Sequence, residues 1–135
     1  MITPNIASHL TVMALQQPDT HAVVVQSISA SDKSNPILYR NTYTYKELDE
    51  ISNVIANGLR NYGIAKGMRT VLMVKPGLDF FALIFALFKL EAVLVAVDPG
   101  MGIKNLGKCL AEAESEAFIG ISSAHIARLT LGWAK

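Results

Sequence analysis

Cysteine is nearly absent from this sequence: Cys109 stands alone among 135 residues. One thiol cannot build an internal disulfide framework, and such usage fits a reducing, cytoplasmic compartment. Neither sign of charge dominates, since 12 basic and 11 acidic residues leave a net charge of +1. The basic residues are scattered, so no electrostatic footprint for nucleic acid forms. Uninterrupted apolar runs of membrane-spanning length are missing too. Phe80 to Val97 comes nearest, but Lys89 and Glu91 break it, and charges at mid-span are costly. Met1 to Asn5 shows no basic run followed by an apolar segment, so no signal peptide is expected. There is no internal repeat and no linker composition, and the length suits one small domain.

What the chain has in abundance is apolar side chains, 51% of the total, where ~45–50% is usual even with glycine counted. Two explanations hold: a buried helix leading into a buried strand, and contact faces that belong against the rest of a larger protein. The apolar residues concentrate between Val71 and Gly120. Val71-Leu72-Met73-Val74, Val93 to Val97 and Ala117-Phe118-Ile119-Gly120 are apolar at every position, the mark of strands covered on both faces. Leu78 to Leu90 and Ile103 to Glu114 lie between them, each about three helical turns long. Strand, helix, strand, helix, strand predicts an α/β fold with a parallel βαβαβ core.

In chain order, Asn5 is placed to cap a helix running to Gln17, with Ile6, Leu10, Met13 and Ala14 on one stripe and Pro18 ending it. Ala22 to Val25 predicts a strand, Ser27 to Pro36 an exposed loop, and Ile37 to Arg40 the return strand of an N-terminal hairpin. Asn41 to Tyr43 reads as a third short extended piece. Thr44-Tyr45-Lys46-Glu47 is a capping box opening a helix. Its stripe is Leu48, Ile51, Ile55, Leu59 and Tyr62, and Gly63 fits a left-handed C-terminal cap. Leu78 to Leu90 is apolar almost all round, so two layers alone would leave part of it wet. Ala124 to Leu131 reads as a last helix.

Motif chemistry is sparse. Gly102 to Cys109 approaches a Walker A phosphate loop, but a thiol replaces the hydroxyl that would bind Mg²⁺. The stripe Ile103, Leu106, Leu110 and Ala113 also puts Gly107 and Lys108 inside a helix, so the residues favour coincidence. Gly100-Met101-Gly102 begins like a dinucleotide fingerprint, but Asn105 stands at the third glycine position and no acid follows about 20 residues on. His9, His21 and His125 have no metal-ligand spacing, and no Gly-x-Ser-x-Gly occurs. Cys109, beside Leu110, reads as a small core residue, not a nucleophile. Asp98-Pro99 ends a strand where α/β proteins place working residues, although a turn-former reading is simpler. Catalytic and metal residues are therefore assigned to none.

Two segments carry a resemblance. Thr44-Tyr45-Lys46-Glu47-Leu48 is similar to the first core motif of the adenylate-forming superfamily, a Thr/Ser-Tyr-x-Glu-Leu pattern opening a helix. Phe88-Lys89-Leu90-Glu91-Ala92 through Asp98-Pro99 resembles the second, usually Leu-Lys-Ala-Gly followed by a strand ending in Asp-Pro. Leu90-Glu91 departs from the usual Ala-Gly. Val71 to Gly77 and Asp98 to Leu106 further resemble the fatty-acid–CoA ligase-like branch that includes β-lactone-forming enzymes of olefin synthesis. The resemblance covers nearly the whole chain. It implies a single partial domain, residues 1–135, belonging to the large N-terminal domain of an adenylate-forming enzyme.

The resemblance also implies what the parent protein does: it activates a fatty-acid-like carboxylate with ATP and Mg²⁺ to acyl-AMP, then transfers to CoA or closes a lactone. The family's phosphate loop, adenine and ribose contacts, hinge and C-terminal lysine have no counterpart here. This stretch alone is therefore expected to be inactive, to need no cofactor, and to have the rest of its polypeptide as partner, with self-association through uncovered faces. In some acyl-CoA synthetases the segment matching His125 to Arg128 helps hold the CoA nucleotide. That nominates Arg128, against the plainer reading of a solvated arginine at a helix end. Two alternatives stay open: a stand-alone protein-interaction module derived from this fold, and a nucleotide binder using Gly102 to Cys109.

Overall fold

The computed structural model describes residues 5–28, 38–97 and 103–132. Its elements follow in the order α1 (Ala7–Gln16), β1 (His21–Ile28), β2 (Leu38–Thr44), α2 (Tyr45–Tyr62), β3 (Arg69–Met73), α3 (Leu78–Lys89), β4 (Val93–Ala96), α4 (Ile103–Glu112), β5 (Ala117–Gly120) and α5 (Ser122–Leu131). The parallel sheet has the order β4-β3-β5, with Val71 of β3 opposite both Val95 and Phe118. Thr70, Val71 and Leu72 are fully buried because β3 is central and covered on both faces. One face receives α2 and α3 through Ala56, Ala86 and Leu87, against Leu94, Ala117 and Ile119. The other receives α4 and α5 through Leu106, Leu110 and Ala124, against Val71, Met73 and Phe118. The alternation of Leu94 with Val95 and Ile119 with Phe118 between the two faces is the strand period of two. The α/β fold with a parallel βαβαβ core is thus as expected.

Several boundaries and burial assignments differ from the expectation. β4 and β5 each have one neighbour in this sheet, so Val93 remains 47% exposed instead of covered. Asn41 to Tyr43 is not a separate piece. It continues β2, which pairs antiparallel with β1 from Leu38 to Thr44. Ser27 and Ile28 belong to β1, while the remainder of the proposed loop and Ile37 lie outside the described residues. Ile6 is 61% exposed, because the buried face of α1 is formed by Ala7 and Leu10. Asn5 still serves the start of α1: its Oδ1 accepts from the Ala7 amide at 2.9 Å, and its Nδ2 donates to the Phe88 carbonyl at 2.7 Å.

The capping box of α2 forms as read. The Glu47 amide donates to Thr44 Oγ1 at 3.2 Å, and the Thr44 amide donates to Glu47 Oε2 at 2.8 Å. Leu48 is buried at its start, but Tyr62, the last residue of the helix, is 89% exposed, while Ile64 just beyond it is buried. The helix then closes on Gly63, φ 114°. The Gly63 amide donates to Arg60 O and the Ile64 amide to Leu59 O, the two bonds of a Schellman closure. Helix α3 ends on the same device. The Glu91 amide donates to Phe88 O and the Ala92 amide to Leu87 O. Here Glu91 takes φ 55°, a left-handed backbone on the position where the resembled motif has glycine.

Cover for the apolar α3 comes largely from this chain. Ala82 packs with Leu10 of α1 and Leu48 of α2, with Ala22 and Val23 of β1 and Phe85 alongside. Phe81 is left 37% exposed. A polar junction fixes these helices to one another. Lys89 Nζ donates to Asp49 Oδ1 at 2.8 Å, to Asp49 O at 2.9 Å and to Asn53 Oδ1 at 2.8 Å. Thr11 Oγ1 of α1 donates to the same Asp49 Oδ1 at 2.9 Å. All three ammonium donors are therefore used. Lys89 belongs to the second motif and Asp49 directly follows the first, so the two motifs meet in space through this ion pair.

Candidate functional site

Helix α5 follows β5 with only Ile121 between them, so the side chains of α5 that face the sheet come down on Phe118. Ala124 is the buried contact. His125 meets the Phe118 ring at 5.2 Å between centroids, edge to face, and Arg128 places Cζ 5.5 Å from the Phe118 centroid. His125 and Arg128 are three residues apart and so lie on one side of α5. Close approach of β5 to α5 requires Gly120. A Cβ there would stand 2.6 Å from Phe118 Cε1 and 3.1 Å from Ala124 Cβ.

Beside this cluster lies a cavity of about 660 Å³, with Phe118, His125, Arg128 and Glu116 on one side. Its apolar wall includes Leu59, Ile64, Met68 and Ile119, and the exposed Tyr62 also lines it. Glu116 is already engaged: its Oε2 accepts from the Arg69 amide at 3.1 Å and lies 3.9 Å from Arg69 Nε. Arg69 also reaches Glu114 at 3.4 Å. Arg128 has its positive charge against an aromatic face, an attraction of about 0.5–1 kcal/mol at exposed sites. Its Nε is buried with no hydrogen-bond partner among the described residues. A guanidinium, a ring edge and an apolar wall suit an anionic group carried on a flat or apolar body.

Reaction chemistry has less to stand on. Among the described residues no three His, Cys, Asp or Glu side chains converge in a way that could hold a metal ion. His9, His21 and His125 lie on α1, β1 and α5. Cys109 is exposed, a correction to its reading as a core residue. The reason is rotational: successive helix residues turn by about 100°, so with Leu106 and Leu110 buried Cys109 swings off the packed stripe. Gly107 and Lys108 lie inside α4, and Lys108 faces Glu112 at 4.0 Å on an exposed surface. That geometry is a helix face and not a phosphate loop. Asp98-Pro99, Gly100-Met101-Gly102 and the Ile103 side chain lie outside the described residues. Sequence reasoning nominated Arg128, named His125 only as the start of the matching segment, and missed Phe118 and Glu116, whose signal was only that β5 runs directly into the helix carrying Arg128.

Comparison with known proteins places these observations. The model of the AMP-binding enzyme family matches residues 11–132. The olefin β-lactone synthetase of Stenotrophomonas maltophilia is 48% identical over 130 residues, covering 96% of this chain and 23% of that protein. Its counterpart from Xanthomonas campestris is 44% identical over the same shares. The chain thus spans about a quarter of the length of these curated relatives. Among solved structures, the N-terminal domain of FACL13 from Mycobacterium tuberculosis superposes with a TM-score of 0.75 at 23% identity, covering 96% of this chain and 30% of that one. The Mycobacterium tuberculosis fatty acyl CoA synthetase gives 0.74 at 23% identity, covering 95% of this chain and 23% of that one. At those identities the structural likeness speaks for the fold. The family match extends over nearly all the described elements, and the chain belongs to the AMP-binding enzyme family.

Proposed function

We propose that this chain is a partial domain of an ATP-dependent acyl-activating ligase. In that reaction a carboxylate attacks the α-phosphate of ATP, pyrophosphate leaves, and acyl-AMP forms. The observation that carries the reading is the 48% identity to an olefin β-lactone synthetase across 96% of this chain. A β-lactone is the internal ester of a 3-hydroxy acid. The substrate class that fits is therefore a fatty acid with a 3-hydroxyl, which displaces AMP from the acyl carbon. Transfer of the acyl group to CoA is the other outcome open to such an intermediate.

On this reading the remainder of the polypeptide supplies the ATP and Mg²⁺ contacts, and residues 1–135 contribute scaffold. Stabilising charge that develops on transferring phosphate needs several preorganised donors or a metal. The described residues offer Arg128 and no carboxylate cluster for a metal. On this reading the 135-residue chain by itself is expected to be inactive. Arg128, with the Phe118 ring beside it, is the residue we assign to a CoA nucleotide, its guanidinium toward a phosphate. CoA when bound supplies the thiol that accepts the acyl group. The cytoplasm is the compartment proposed, on the single cysteine; no helix among the described residues is long and apolar enough to cross a membrane.

ATP–pyrophosphate exchange tests the reading. A polypeptide containing this stretch and extending to the length of the relatives is expected to exchange label with long-chain 3-hydroxy acids. The 135-residue chain is expected to give none. Exchange by the short chain would overturn its role as scaffold, and absence of exchange by the long one with any fatty acid would overturn the activity.

A further inference from the structure

We draw no further inference here: the strongest candidate, the apolar groove between α1, β1 and the first half of α3 lined by Ile6, Met13, Val23 and Phe81, is an unpartnered face, and nothing in the structure shows what covers it.

Discussion

Replacing Lys89 with methionine, which keeps the length and apolar stem of the side chain, tests whether the α1–α2–α3 junction depends on its ion pair. The ammonium and the Asp49 carboxylate are well shielded, with 13% and 15% of their side chains exposed. In Lys89→Met the carboxylate keeps the Thr11 hydroxyl at 2.9 Å and a long contact to Asn53 Nδ2 at 3.5 Å, but loses its counter-charge. Breaking a fully buried pair costs about 3–5 kcal/mol, because the surviving charge is stranded. The residual exposure here lowers that range to about 2–4 kcal/mol. For a chain of this size each kcal/mol moves the melting temperature by roughly 3–5 °C, so a drop of about 6–20 °C is expected. Urea unfolding followed by far-UV circular dichroism measures the free energy, with Lys108→Met as control. Lys108 and Glu112 form an exposed i,i+4 pair, worth only about 0.3–0.5 kcal/mol. The double variant Lys89→Met/Asp49→Leu removes both charges and is expected to lose much less than the two single losses summed. A Lys89→Met midpoint within error of the parent, or strictly additive losses, would refute the reasoning.

Glu91 offers a second test, since its left-handed backbone costs a side chain about 1–2 kcal/mol that glycine does not bear. Glu91→Gly should therefore be about 1 kcal/mol more stable than Glu91→Ala; both variants lack the Lys66 ion pair, so that contact cancels, and equal stability would count against the assigned backbone. Gly120→Ala forces the Phe118 ring or α5 to move and is expected to cost about 1–3 kcal/mol, with a changed near-UV aromatic signal as its readout. Thr44→Ala removes one half of the capping box and should cost about 1 kcal/mol in the same unfolding assay, little of it additive with Glu47→Ala. In the longer polypeptide, Arg128→Ala should raise the KM for CoA about tenfold or more and leave ATP–pyrophosphate exchange unchanged; an effect confined to exchange would remove Arg128 from the CoA site.

Local features of this protein were legible wherever the chain's own period or chemistry decides them. The capping box at Thr44, the glycine closure at Gly63 and the three apolar strands depend on residues within a turn or two of each other, so spacing alone reveals them. The class of the fold followed from the alternation of those strands with helices, and the family from two short motifs lying in order. Burial was less legible. Ile6 and Tyr62 satisfy a helical stripe as well as Leu10 and Leu48 do, but how far a neighbouring layer extends is not written in the period. Cys109 failed for a related reason, because adjacency to Leu110 in sequence is a 100° rotation on a helix. The Lys89–Asp49 pair could not be read at all. In sequence Lys89 merely interrupts an apolar run, 40 residues from its partner, and only the packing of α3 on α2 shows that the two motifs are joined by a shielded charge. The same holds for the Arg128 cluster. Its cation, ring and glycine come from two elements, and the fold-back of α5 onto β5 across the single residue Ile121 is what sets Phe118 and Gly120 under α5.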